Sequence, residues 1–286
     1  MKPAKFDYSR PEDLPTVLAL LAEKGDARIL AGGQSLVPMM NYRMAQPSHL
    51  IDINRVPDID YIRLEGDMIA IGALARHADV KSAPLVAEHL PIVADAYDWV
   101  AHSAVRNRGT LCGNLCHADP ASEMPALMQL LDAVMIVASQ SGHREVPATA
   151  FFTGIYETAL QPGEMLSEVR IPVPATGTGW GFEEVSMRKG DFAWTACAAT
   201  LRLEAGRIAG AHVAAAGIGE RSLRLTQAEA ALNGQAPSGD LFAAVAADAA
   251  SAINPADTIG ASADYRRDLV RALIPRVLGA AVTRAR

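Results

Sequence analysis

Residues Ile29-Leu30-Ala31-Gly32-Gly33-Gln34-Ser35-Leu36 decide how the first part of the chain folds. The short apolar run Arg28-Ile29-Leu30-Ala31 reads as a strand, two glycines break it, and Ser35 is placed to cap a short helix through Met39 and Met40. Such a turn directs backbone N–H groups outward, where the helix dipole adds positive potential. A Cβ in place of the glycines would keep a phosphate from the backbone. Alone, the segment reads equally as an anion cradle or as a purely structural corner, and it fits neither a P-loop nor GxGxxG.

Working outward, Ser9-Arg10-Pro11-Glu12 has the pattern of a capping box, and the helix it opens carries Leu14, Val17, Leu18 and Leu21 to a stop near Gly25. His49-Leu50-Ile51-Asp52-Ile53 reads as a further buried strand, giving β-α-β-turn-helix-β for residues 1–55. Residues 56–174 form a second lobe richer in helix. It has short strands around Tyr61–Leu64 and Met68–Ile71, helical patterns over about 77–101 and 120–132, and a hairpin around Ser139-Gln140-Ser141-Gly142. The Pro/Gly/Thr segment from Pro172 to Gly179 marks the clearest boundary. Beyond it, strands near 180–187, 194–204 and 207–217 and Ala-rich helices near 226–232, 238–252 and 262–283 make 175–286 an antiparallel sheet backed by helices. The class is α+β.

The chain has 286 residues, half of them apolar and 20% charged, with a net charge of −6. That balance suits an ordinary globular enzyme subunit and argues against a nucleic-acid partner, which calls for clustered Lys and Arg. No apolar run reaches the roughly 18–20 residues that span a bilayer, so no integral membrane segment is expected. The opening MKPAKFDYSRPEDLP lacks an apolar core, so no signal peptide is expected and the protein is expected to be cytoplasmic. Cys112, Cys116 and Cys197 cannot make a disulfide framework, and Cys112-x-x-x-Cys116-His117 has too few ligands for a metal centre.

The second informative segment is Arg106-Asn107-Arg108-Gly109-Thr110-Leu111-Cys112-Gly113-Asn114-Leu115, continuing as Cys116-His117-Ala118-Asp119-Pro120-Ala121-Ser122-Glu123. A hydroxyl and an amide beside glycine backbone suit a pyrophosphate or a polyol chain. The competing reading is a capped loop in which Asp119-Pro120 opens the helix at 121–131. Ser103 with His102 and Cys116 with His117 read as loop residues rather than nucleophile–base pairs. His77 reads as a residue satisfied by local hydrogen bonds. Met39, Met40 and Met44 read as fillers, and Trp180 and Trp194 as packing residues.

Together the two segments resemble the FAD-binding subunit of the molybdenum hydroxylases, which include the medium subunit of aerobic carbon monoxide dehydrogenase and the flavin domain of xanthine dehydrogenase. The likeness extends through Leu50-Ile51-Asp52-Ile53, Ile71-Gly72-Ala73, Arg76-His77-Ala78-Asp79-Val80, Glu164 to Pro172, and Arg188-Lys189-Gly190-Asp191-Phe192-Ala193, and so covers essentially the whole chain. It implies a two-lobed FAD-binding domain of the vanillyl-alcohol-oxidase-like type followed by the C-terminal sheet-and-helix domain.

The resemblance further implies that Ile29, Leu30, Ala31, Gly32, Gly33, Gln34, Ser35 and Leu36 wrap the FAD pyrophosphate. Thr110, Leu111, Cys112, Gly113 and Asn114 add phosphate and ribityl contacts, and Ala101, Glu123, Leu166 and Glu184 complete the site. Two positions depart from the family pattern. Cys112 replaces a glycine and would crowd the cofactor at positive φ, and Glu184 reverses the charge of a lysine found in some members. No catalytic triad is expected, because the redox chemistry belongs to the flavin. The family also implies partner chains: a small one with two [2Fe–2S] clusters and a large one with molybdopterin, assembled as a dimer of heterotrimers that sends electrons through FAD to an acceptor. Two alternatives are a standalone FAD-dependent oxidase or dehydrogenase and a scaffold that has lost FAD.

Overall fold

The computed structural model describes residues 1–285. Strand β1 (Asp7–Ser9) leads into helix α1 (Leu14–Glu23), followed by β2 (Ala27–Leu30), α2 (Leu36–Asn41) and β3 (His49–Asp52). The three strands form a parallel sheet in the order β1-β3-β2. Buried Val17 and Leu18 of α1 pack with Ala27, Ile51 and Ile53, so the helical and strand periodicities meet on one small core. Two expected caps are corrected. Asp13, not the Ser9 box, caps α1: its carboxylate accepts from Thr16 N at 2.7 Å, and Pro15 follows in the first turn. Ser35 precedes α2 in a helical conformation with no side-chain cap bond.

The second lobe starts with β4 (Ile62–Glu65) and β5 (Met68–Gly72). The helical stretch expected over 77–101 is three short helices, α3 (His77–Ser82), α4 (Pro84–His89) and α5 (Pro91–Ala96). Pro84 and Pro91 each open a new helix, because a proline inside a helix loses its hydrogen bond and clashes with the preceding turn. Then come α6 (Ser103–Arg106), α7 (Leu111–His117), α8 (Glu123–Leu130), the hairpin β6 (Val134–Ser139) and β7 (Gly142–Pro147), α9 (Ala148–Phe151), β8 (Phe152–Gly154), β9 (Glu157–Thr158) and β10 (Met165–Pro172). Strand β10 sits in the middle of a five-stranded sheet, β4-β5-β10-β6-β7, antiparallel to both neighbours.

After the Pro/Gly/Thr segment, β11 (Gly179–Ser186), β12 (Ala193–Glu204), β13 (Arg207–Ala216) and β14 (Leu223–Arg224) form an antiparallel meander. Helices α10 (Thr226–Leu232), α11 (Gly239–Ala252) and α12 (Ala263–Arg284) back it. One core, built wholly from this part, joins Leu201, Val213, Phe242, Ile274 and Val277. The other face of the meander, through Ala196, Ala198, Ala214 and Ala216, closes on the central core of the second lobe. The alanines suit this role: small side chains let a sheet lie close on both sides.

The sheet and α12 approach closely at Gly181, where an added Cβ would stand 2.2 Å from the Val277 carbonyl oxygen. Gly181→Ala is therefore expected to push α12 off the sheet and cost about 2–3 kcal/mol, as other overpacking substitutions do. Chemical denaturation of the variant against the parent measures it.

Candidate functional site

The first glycine turn lies between β2 and α2, at the carboxyl end of the parallel sheet. Gly33 has φ +70°, a conformation that favours glycine. Among the described residues the amides of Gly32, Gly33, Gln34 and Ser35 donate to no other group of the chain. Asn54 holds the turn from behind: Nδ2 donates to the Ala31 carbonyl at 2.9 Å, and Oδ1 accepts from Arg76 Nη2 at 2.6 Å. Asp52 accepts from Asn54 N at 2.9 Å and from the Tyr8 hydroxyl at 2.6 Å. Burial pushes the Asp52 carboxyl up, but the Tyr8 and Asn54 hydrogen bonds and Arg10 outweigh it and leave the group below its usual range.

The second glycine segment abuts the first. A Cβ on Gly32 would stand 2.3 Å from the Arg108 carbonyl oxygen and 2.6 Å from Gly109 Cα. His77 N donates to Gly109 O at 2.9 Å, and Leu111 N donates to Ala75 O at 3.2 Å. The His77 ring is buried with Nδ1 3.2 Å from the Tyr97 hydroxyl. Burial, helped by Arg106, pushes its pKa down to about 4, so it is a neutral positioning residue. Thr110 caps α7 by accepting from Gly113 N at 3.1 Å, and a Cβ on Gly113 would lie 2.6 Å from that hydroxyl oxygen. The stretch expected to be a loop is thus the first turn of a helix. Asn114 then gives and takes hydrogen bonds with the Ser122 hydroxyl, at 2.9 and 3.1 Å, tying the glycine segment to the turn before Glu123.

Between the two segments lies a cleft of about 390 Å³, lined by Leu30, Ala31, Gly32, Gly33, Gln34, Val37, Pro38, Asp52, Asn54 and Arg108. Unpaired amides, a guanidinium and glycines that a Cβ could not replace fit a diphosphate. Sequence reasoning took the first five residues and missed the rest. The available signal was the parallel sheet: the ends of β2 and β3 share an edge, so polar residues following the second strand face the same cleft as the glycine turn.

The remaining site residues lie elsewhere. Ala101 has φ +48°, its carbonyl accepts from Arg106 at 2.6 Å, and Gly190 of the C-terminal part comes so close that a Cβ would be 3.0 Å from that oxygen. Leu166 is buried in β10 within the central core. Glu123, at the start of α8, and Glu184, on β11, are buried beside each other. Cys116 and His117 do not pair: burial pushes the thiol up to about 12, and the imidazole stacks on Tyr156 at 4.9 Å. Trp180 Nε1 donates to Asp95 at 3.0 Å, and Trp194 packs edge-on against Tyr265, so both have structural partners.

The chain matches the model of the FAD binding domain in molybdopterin dehydrogenase over residues 4–174, and that of the CO dehydrogenase flavoprotein C-terminal domain over 180–281. It belongs to the FAD-binding medium-subunit family of the molybdenum hydroxylases. It is 40% identical to the 6-hydroxypseudooxynicotine dehydrogenase complex subunit alpha of Paenarthrobacter nicotinovorans, covering 100% of this chain and 97% of that one. It is also 40% identical to caffeine dehydrogenase subunit beta of a Pseudomonas species, covering 99% and 97%. Among solved structures, the carbon monoxide dehydrogenase of Hydrogenophaga pseudoflava that lacks the Mo-pyranopterin moiety superposes with a TM-score of 0.97 at 40% identity over all of both chains. No helix among the described residues is long and apolar enough to cross a membrane.

Against the medium-subunit pattern, the glycine replaced by Cys112 has a simple outcome here. Cys112 lies in the first turn of α7 without positive φ, and its Sγ points into the core, 3.8 Å from the Gly72 carbonyl and 3.9 Å from that of Ile71. Cys112→Ala is expected to leave the affinity for FAD within about twofold and to cost about 1 kcal/mol of stability through lost burial. Flavin titration and denaturation of the same sample separate the two effects.

Proposed function

We propose that this medium subunit holds FAD across the seam between the two glycine segments and passes electrons from [2Fe–2S] clusters in a small partner subunit to an external acceptor. The observation that carries the reading is the backbone contact of Gly32 with Arg108–Gly109 beside four amides free to donate. Ile29, Leu30 and Ala31 deliver the turn, Gly32 to Leu36 hold the pyrophosphate, and Arg108 offers a guanidinium. Gly113 and Asn114 offer backbone and an amide to the polyol on a turn that Thr110 caps and that Leu111 and Cys112 back from the core, while Ala101, Glu123, Leu166 and Glu184 shape the remaining wall. When bound, FAD supplies the reversible one- and two-electron redox chemistry.

A second chain carrying molybdopterin completes the proposed complex, as a dimer of heterotrimers working in the cytoplasm. The relatives support a subunit role through their own names, which are those of complex subunits. At the same 40% identity those names specify different oxidised compounds, as expected if substrate choice resides in another chain. The organisation into 1–55, 56–174 and 175–286 is part of this reading; its C-terminal boundary is supported by the separate C-terminal core and by one family match ending at 174 and the next starting at 180.

Arg108→Glu tests the site without touching a buried group. Reversing the charge beside a diphosphate is expected to weaken FAD binding about tenfold or more, at unchanged thermal stability without cofactor. Flavin absorbance of the purified chain and FAD titration after stripping provide the measurement. An absence of flavin bands together with no uptake on reconstitution would sink the proposal.

A further inference from the structure

Helix α8 begins at Glu123, one residue beyond the Ser122 hydroxyl that clamps Asn114, and β11 brings Glu184 to the same place. On β11, Gly181 lies under the backbone of α12, and Glu183 pairs with Arg276 of α12 at 2.9 Å. Successive side chains of a strand point to opposite faces. Glu184 therefore turns the other way, with Trp180 and Phe182, which pack on the central core. There its carboxyl adjoins that of Glu123, and the two residues are 6% and 3% exposed.

No cation among the described residues answers this charge. Arg276 is on the far face with Glu183. After β11, Arg188 pairs with Asp191 at 3.3 Å, and Lys189 lies over the Trp99 ring. Across the sheet, the residue facing Glu184 on β12 is Ala196. On α7, His117 leans toward Asp119 at 3.9 Å, and Asp119 adds another negative charge near Glu123. His212 of β13 sits at the opposite end of α8, against the Leu130 carbonyl, and Asp95 of α5 is engaged by Trp180. The Ser186 hydroxyl donates to the Arg188 carbonyl at 3.0 Å, that of Ser122 beside Glu123 is engaged with Asn114, the buried Tyr97 hydroxyl lies on the Glu123 side, and both Glu184 oxygens are left without a hydrogen-bond partner.

Two carboxylates buried side by side without a cation cannot both remain ionised. A single proton between them removes the repulsion and supplies the donor that Glu184 lacks. The shared proton engages one oxygen of each carboxyl, and the other Glu184 oxygen is left free to accept. We propose that Glu123 and Glu184 form a shared-proton acid pair at the α8–β11 seam and that, where bound FAD reaches this seam, the pair accepts hydrogen bonds from neutral donors such as polyol hydroxyls, so that cofactor binding and proton binding are coupled. The ligand in this proposal rests on the FAD reading above; the shared proton does not.

Burial raises both acids, with Asp119 adding to it at Glu123 and Glu123 adding to it at Glu184: Glu123 to about 7 and Glu184 to about 8, from an ordinary 4.5. The folded chain thus binds this proton more tightly than the unfolded one. The associated stability is complete below about pH 4.5 and is lost as pH rises through about 7 to 8.

Two measurements on the full chain test the pair. One is the melting temperature without cofactor from about pH 5 to about pH 9, for the parent, Glu184→Gln and Glu123→Gln. The other is FAD affinity by flavin fluorescence at about pH 6.5 and about pH 9. The parent is expected to lose thermal stability across the upper part of that range, with both amide variants clearly flatter. Its FAD affinity is expected to fall about tenfold between the two pH values, against no more than about twofold in the variants. Parallel melting profiles for parent and variants would overturn the shared proton, and Glu123→Gln alone decides this if Glu184→Gln does not fold. A sloped profile with pH-independent FAD affinity would overturn the coupling. No FAD binding at any pH, with the slope intact, would remove the FAD reading and the ligand proposed here while upholding the shared proton.

Discussion

The backbone contact between Gly32 and Arg108–Gly109 is the constraint on which the rest of the site depends. It joins a turn of the parallel sheet to the start of α7, and any side chain at Gly32 would part them. Asn54 and Arg76 fix the first segment, and the backbone bonds of His77 and Leu111 fix the second. Because these supports are spent on carbonyls and side chains, the amides of Gly32 to Ser35 are left over as donors. The site therefore carries unsatisfied hydrogen-bonding capacity at its surface, which is what an anionic ligand uses.

The glycine cleft and the α8–β11 seam differ in electrostatic character. At the glycine cleft, free N–H groups and Arg108 favour negative charge. At the α8–β11 seam, Glu123 and Glu184 are buried together with no cation among the described residues, and both Glu184 oxygens lack a donor. An extended ligand with a charged middle and neutral polar arms suits that gradient. The seam is also where the C-terminal sheet closes on the second lobe, so the protonation of the pair bears on domain contact as well as on the ligand.

Most buried polar groups elsewhere are answered locally; among the described residues only Ser222 Oγ and Arg266 Nε also lack a partner. His77 has Tyr97, Asp52 has Tyr8 and Asn54, and Glu229 receives Arg224 and the Val213 amide. Against that background Glu184 differs in having both of its side-chain oxygens orphaned, whereas Arg266 is bonded through its other nitrogens.

By itself the sequence determined the element types that have clear periods and punctuation: the first β-α-β-turn-helix-β run, the β6–β7 hairpin, the C-terminal meander and its Ala-rich helices. It also identified both glycine segments, through their joint resemblance to one family, since each alone kept a competing structural reading. Local signals misplaced what competes at short range. Two candidate caps lie near α1, and Asp13 won because its carboxylate reaches Thr16 N. The helical pattern over 77–101 ignored the breaks that Pro84 and Pro91 impose. Only the tertiary structure decided the rest: that Asp52, Asn54 and Arg108 share the cleft, that Cys112 points into the core, and that Glu123 meets Glu184. Each is a meeting of segments distant in sequence, set by sheet order and helix packing, and no local pattern of residues encodes it.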